Sequence, residues 1–175
     1  MRKFSSVEIL INKPAQPLKV LYVDMFIEAK QPVDPNTLIV SDYDGIFQVF
    51  GNRFMLNNLL VGVFEVPTKR RIRLTIFIEK SSGLVETYVD GKKVYSRRTG
   101  KTCDFEQGTP KLILGGSSFV GRVCNVQMWS EFGSGFLPDL FLNKPYLAPG
   151  NLIGVPLKNE FKLLRGAKKE TAKYL

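Results

Sequence analysis

The residue types that carry most enzyme chemistry are thin on this chain. Histidine is absent from all 175 residues. That removes the Ser-His-Asp triad, the Cys-His dyad, the imidazole general base and His-ligated zinc together. The two cysteines, Cys103 and Cys124, are too few for a four-thiolate metal site. Carboxylates are present, but their spacing does not suit paired acid work. Glycoside cleavage needs two carboxyl groups flanking one bond, and a strand gives acids two residues apart a common face. Asp24 and Glu28 are four apart, and Glu79 and Glu86 fall on separate predicted strands. They read as solvated strand acids, and the chain reads as non-enzymatic. Asp42-Tyr43-Asp44-Gly45 has the opening rhythm of a calcium loop, without the flanking helices and distal Glu that such a loop needs. Asp and Gly are also ordinary turn residues, so a hairpin turn is the expectation there. No metal and no cofactor is expected.

What the chain has in excess is positive charge. Lys and Arg number 25 against 16 Asp and Glu, a net charge of +9. Lys69, Arg70, Arg71 and Arg73 lead into one predicted strand. Lys92, Lys93, Arg97, Arg98 and Lys101 belong to the hairpin that follows, and Arg165, Lys168, Lys169 and Lys173 lie near the end of the chain. Clustered cations raise the local potential and attract polyanions with salt-sensitive affinity, and Arg can hold sulfate, phosphate or carboxylate bidentately. The expected partner is an anionic glycan or protein surface, bound without calcium by the nine cations of the first two groups. Nucleic acid ranks below glycans, because the chain has no nucleic-acid motif and its aromatics read as core. The competing reading makes these cations guards of exposed strand edges. A net charge of +9 exceeds what solubility alone asks of a small domain.

Short strands must position these residues. The pattern is one of brief apolar or alternating runs cut by Gly, Pro and Asn: Val7 to Ile11, Lys19 to Glu28, Thr37 to Val40, Ile46 to Phe50, Arg53 to Leu56, Leu59 to Phe64, Ile72 to Lys80, Leu84 to Val89, Lys92 to Arg97, Lys111 to Leu114, Phe119 to Trp129 and Phe161 to Leu164. Asn57-Asn58 and Asp90-Gly91 are tight-turn pairs. The clearest run is Ile72, Leu74, Ile76 and Ile78, which alternate with Arg73, Thr75, Phe77 and Glu79 and so point to opposite faces. Leu137 to Leu142 reads as one short helix, with Pro138 and Asp139 in its first turn. With 44% hydrophobic residues, the chain can bury a core. The pattern predicts an all-β, two-sheet antiparallel sandwich in a single domain over residues 1–175, with 165–175 as a basic tail. No apolar stretch reaches the ~18 residues a membrane-spanning helix needs.

Three ordered segments carry a family resemblance. Glu79-Lys80-Ser81-Ser82-Gly83-Leu84-Val85-Glu86-Thr87-Tyr88-Val89-Asp90-Gly91-Lys92 resembles the pentraxin stretch in which a Ser-Gly turn precedes an aromatic-Val-Asp-Gly-Lys hairpin. Ile113-Leu114-Gly115-Gly116, followed by Phe119-Val120-Gly121-Arg122-Val123-Cys124-Asn125-Val126-Gln127-Met128-Trp129, is similar to the pentraxin and laminin-G signature of Phe-Val-Gly and a strand closing on Met-Trp. Leu137-Pro138-Asp139, with Tyr146-Leu147 and Asn151-Leu152, is similar to the family's short helix and the loop after it. Weaker matches extend the resemblance over nearly the whole chain. It implies a concanavalin-like jelly roll and a core position for Trp129.

The departures from the family are equally informative. The resemblance puts Asp24 and Thr75 where pentraxins carry their inter-strand disulfide, so that bridge cannot form. Of the family's calcium residues only Asp44 has a counterpart; Gly45 replaces an Asn, and Gly116-Ser117-Ser118 replaces an acidic loop. A calcium ion wants six to eight oxygens, several of them charged, so the family's calcium site is not carried over. Cys103 and Cys124 read as thiols, with pairing left open. The family implies a secreted or extracellular module and a homo-oligomeric ring. Met1 to Leu10 does not read as a secretory signal; with the lack of the family bridge and of an Asn-x-Ser/Thr sequon, this keeps open the alternative of a structural scaffold or protein–protein interaction domain in a larger assembly, intracellular or not.

Overall fold

A computed structural model describes residues 7–10, 19–42, 47–99, 111–115, 118–129, 153–154, 161–163 and 170–172. In chain order the strands are β1 (Val7–Leu10), β2 (Val20–Ala29), β3 (Leu38–Asp42), β4 (Phe47–Phe50), β5 (Arg53–Leu56), β6 (Leu59–Val63), β7 (Arg71–Glu79), β8 (Leu84–Val89), β9 (Lys92–Arg98), β10 (Lys111–Leu114), β11 (Gly121–Trp129), β12 (Ile153–Gly154), β13 (Phe161–Leu163) and β14 (Glu170–Ala172). They form two seven-stranded sheets. The first runs β14-β1-β10-β3-β4-β5-β6; the second runs β12-β11-β2-β7-β8-β9, with β13 also alongside β11. All the pairings are antiparallel except β1 with β14, which is parallel. The architecture is the all-β sandwich expected of the sequence. Among the described residues there is no helix, and Leu137–Leu142 lies outside them.

The core follows from alternation. Ile72, Leu74, Ile76 and Ile78 of β7 are buried beside Val23, Met25 and Ile27 of β2, facing Phe47, Val49, Phe54, Leu56, Leu112 and Leu114 of the first sheet. Removing such a side chain from water contributes roughly 1.5–3 kcal/mol each. The Phe47 and Phe54 rings meet at 5.0 Å between centroids, tilted by 57°. Asn57 and Asn58 close the β5–β6 hairpin with φ of 49° and 61°, and Asp90 and Gly91 close β8–β9 with φ of 51° and 78°. Two successive left-handed residues are what the right-handed twist of a two-residue hairpin requires. Asp42 is buried at the end of β3, and its Oδ1 accepts the Phe47 N–H at 2.8 Å. That is turn chemistry at the position where a calcium rhythm was noted; Asp44 and Gly45 lie outside the described residues.

The second sheet departs from a simple apolar-in, polar-out pattern. Much of its outward face is buried too, and carries Tyr22, Asp24, Arg73, Thr75, Glu86, Tyr88, Cys124, Gln127 and Trp129, while Phe26, Glu28, Phe77 and Glu79 are half-buried and Arg71 is exposed. A bulge at Asn125 (φ 49°) breaks the β11 register between Cys124 and Gln127. Arg73 and Thr75 donate to Asp24, Tyr88 donates to Glu86, and Gln127 donates to Asn125, as most buried polar groups find a partner. Trp129 is buried at the end of β11 opposite Tyr22, on the outward face of the second sheet and not in the core between the sheets that the resemblance implied. Cys124 is buried, and Cys103 lies outside the described residues.

Candidate functional site

The cationic segments lie at the β7–β8–β9 side of the second sheet, and pairing spreads them out. Lys69 has a positive φ of 60°, and its N–H donates to the Ala29 carbonyl at 2.7 Å. The bend turns the chain into β7. Arg70 then reaches the Asp90 carboxylate across the hairpin turn, and Arg71 lies 3.5 Å from Glu28 on β2. Asp90 is the clasp of this end. Its Oδ1 accepts the Arg73 backbone N–H at 2.8 Å, while its own N–H donates to the Arg73 carbonyl at 2.9 Å.

Arg73 belongs to a different place. Its side chain is 9% exposed, and its Nε donates to Asp24 Oδ1 at 2.9 Å. Thr75 Oγ1 donates to the same oxygen at 2.7 Å. The expectation of Arg73 as a surface cation is therefore corrected. Alternation does point it outward, but outward at this point of the sheet is a buried layer. Asp24 and Thr75 are direct partners in the β2–β7 register, so the two positions that the resemblance assigned to a disulfide face each other and are joined by hydrogen bonds. Burial pushes the Asp24 carboxyl above its ordinary value, against the opposing pull of Arg73 and Thr75.

On the hairpin, Lys93 Nζ donates to Glu86 Oε1 at 2.6 Å and lies 5.6 Å from the centre of the Tyr88 ring. Tyr88 Oη and Ser96 Oγ also donate to Glu86, at 2.6 and 3.2 Å. Burial raises the Glu86 pKa, but these donors together outweigh it and hold the carboxyl below the usual glutamate value. Lys69, Lys92, Arg97 and Arg98 are exposed and make no ion pair among the described residues. Lys101 lies outside the described residues.

The nine expected cations thus sort by geometry. Lys69, Arg70, Arg71, Lys92 and Lys93 gather at the Asp90 turn. Arg97 and Arg98 stand at the far end of β9; a rise of ~3.3 Å per residue separates Lys92 from Arg98 by about 20 Å. Arg73 is withdrawn. Lys93 is tied to Glu86, whose side chain is only 12% exposed, whereas the Arg70–Asp90 pair joins side chains 65% and 40% exposed. A pair as exposed as the latter is worth ~0–1 kcal/mol, so a ligand anion can replace the internal carboxylate there at small cost.

Sequence reasoning missed a third contribution. β2 begins and β7 ends side by side, with Val20 opposite Glu79 and the Lys80 N–H donating to the Lys19 carbonyl at 2.9 Å. A cleft there is lined by Lys19, Val20, Glu79, Lys80 and Ser81. The register Glu79–Leu84–Arg98 sets Lys19 and Lys80 at the same end of the sheet as Arg98. Residues 19, 80 and 98 are too far apart in the chain for any local pattern to join them.

No family model matches the chain, and no curated protein matches it in sequence. Solved structures do. The native heptameric SAP-like pentraxin of Limulus polyphemus superposes with TM-score 0.59 at 16% identity, over 87% of this chain and 86% of that one. A candidate carbohydrate binding protein from Bacteroides ovatus gives 0.62 at 16% identity, over 89% of this chain and 50% of that one. The full extracellular region of zebrafish Gpr126/Adgrg6 gives 0.50 at 17% identity, over 88% of this chain and 24% of that one. The chain has the pentraxin-like, concanavalin-like jelly-roll fold. No helix among the described residues is long and apolar enough to cross a membrane.

Proposed function

We propose that the protein is a non-enzymatic recognition module of the extracellular space that binds an anionic glycan, sulfated or carboxylated, without calcium. The ligand-binding residues of this reading are Lys69, Arg70, Arg71, Lys92, Lys93, Arg97 and Arg98, with Lys101, outside the described residues, as a further expected cation; Arg73 is not among them. The observation that carries the reading is the exposure of Lys69, Arg70, Arg71, Lys92, Lys93, Arg97 and Arg98 on the β7–β9 side of the second sheet, where Lys69, Lys92, Arg97 and Arg98 have no internal counter-charge among the described residues. The pentraxin and the candidate carbohydrate binding protein that share the fold support a binding role. The test is retention on a heparin column with a rising salt gradient. Replacing Arg70, Arg71, Arg97 and Arg98 by Ala should lower the eluting salt concentration, and EDTA should leave it unchanged. Identical elution of the variant sinks the glycan reading, and loss of retention in EDTA sinks the calcium independence.

The second reading, a scaffold that binds another protein, is favoured by the hydrophobic side chains exposed on the two strands at this side of the sandwich: Leu60 and Val63 on β6, and Val94 on β9.

A further inference from the structure

Among the described residues, the last strand of the second sheet, β9, is paired on one side only, with β8. Six of its seven residues are exposed; Tyr95 alone is half-buried, packed against the core. A strand in that position presents a row of unused backbone donors and acceptors, a template for another strand. What can use the template is decided by charge. β9 reads Lys92-Lys93-Val94-Tyr95-Ser96-Arg97-Arg98 and carries no acid. A second copy of β9 laid antiparallel about its centre would set Lys92 against Arg98 and Lys93 against Arg97; laid parallel, it would set each cation against itself. Like charges directly opposite are destabilising, so this edge rejects its own kind.

The same row favours a strand of opposite sign. Lys93, Ser96 and Arg98 pair with Tyr88, Glu86 and Leu84, and so share one face; Lys92, Tyr95 and Arg97 pair with Val89, Thr87 and Val85 on the other. Both faces carry cations near both ends of the strand. Between them the register slips, leaving Val94 as an extra, 41% exposed residue. Beside it runs β6, where the Leu60 carbonyl accepts from Tyr95 Oη at 3.5 Å and where Leu60 and Val63 are exposed.

We propose that β9 binds an acidic, extended segment of a partner protein by strand addition: about seven residues, with acidic pairs at both ends and an apolar centre that meets Val94. Backbone hydrogen bonds would hold the segment and the charge pairs would select it. The inference uses four cations of the glycan reading and adds to them a requirement for backbone pairing, which a glycan cannot satisfy.

The experiment titrates the protein with a fluorescent peptide whose centre reads Glu-Asp-Val-Thr-Val-Asp-Glu, and with the same peptide N-methylated at alternate backbone amides. Methylation keeps every charge and removes the hydrogen bonds without altering the protein. The parent peptide should bind in a salt-sensitive manner, the methylated one at least tenfold more weakly, and the R97E/R98E protein at least tenfold more weakly to the parent. The V94P protein, shown folded by circular dichroism, should lose peptide affinity and keep its heparin retention. Equal binding of the two peptides overturns strand addition, since charge alone then explains the contact. Heparin retention with no peptide binding overturns this inference and leaves the glycan reading standing. Peptide binding without heparin retention does the reverse, and failure of both overturns both. A dimer formed through β9 and abolished by R97E/R98E also overturns it.

Discussion

Asp24 is the residue on which the back of the second sheet turns. It is fully buried, one oxygen takes hydrogen bonds from Arg73 and Thr75, and the other has no partner among the described residues. Removing one member of a buried ion pair typically costs ~3–5 kcal/mol, because the charge left behind has lost its counter-ion. R73M should therefore destabilise the protein by about that much in urea unfolding, and the D24L/R73M pair should recover most of the loss. The pH dependence has a definite sign. Burial already raises the folded-state pKa of Asp24 above 3.8, and without Arg73 less opposes that rise. The folded state then holds a proton that the unfolded chain has released, so R73M should lose stability, relative to the parent protein, as pH rises above the ordinary aspartate value of 3.8. Glu86 works the other way. Its donors hold it below 4.5, so its contribution is present above that pH and is lost as pH falls through the folded value. E86Q should flatten the acid limb of the stability curve below about pH 5, read as the urea midpoint against pH.

At the scale of the element, the turns and bends do most to fix position. The Phe-Val-Gly motif ahead of β11 has a steric cause. A Cβ on Gly121 would lie 2.3 Å from the Glu28 carbonyl oxygen and 2.7 Å from the Phe119 ring. Backbone cannot swing aside as a side chain can, so G121A must push β11 away from β2. The expected cost is about 1–3 kcal/mol, as for overpacking elsewhere, seen as a lower thermal midpoint with unchanged far-ultraviolet dichroism. G62A meets only the Thr87 hydroxyl and neighbouring side-chain atoms, and should cost less. Most strands were legible because period-two patterning and turn pairs agree, as in Ile72 to Lys80 with Asp90-Gly91. β12 and β14 were not. Ile153–Gly154 and Glu170–Ala172 are too short for a period to show, and they are strands only because β11 and β1 offer them an edge. For the same reason a stretch that reads as basic tail supplies the outermost strand of the first sheet.

For the molecule as a whole, charge acts through two separated groups. Lys69, Arg70, Arg71, Lys92 and Lys93 surround the Asp90 turn, while Arg97, Arg98, Lys19 and Lys80 stand near the opposite end of the same sheet, about 20 Å away at a rise of ~3.3 Å per residue. That spacing exceeds the screening length of ~8 Å at physiological salt, so the groups act independently. K69A/K92A and R97A/R98A should each lower the salt needed to elute the protein from heparin, and their effects should add. Heparin fragments too short to reach both groups should respond to only one pair of substitutions, which a competition assay against fragments of graded length would show.

Charge excess, the lack of imidazole, alternation and turn pairs are properties of the chain read locally. They were enough to determine a sandwich of antiparallel strands, its inward rows, its tight hairpins and its excess of cations over acids. Which cations stay open to solvent was decided only by the tertiary structure. Arg71 and Arg73 are two residues apart and share one face, yet one stands at the rim beside Glu28 and the other is closed in with Asp24. Lys19, Lys80 and Arg98 are remote in the chain and come to one end of a sheet. The physical reason is that a strand's period specifies which of two faces a side chain takes, while water's access to each face depends on what the rest of the fold lays over it.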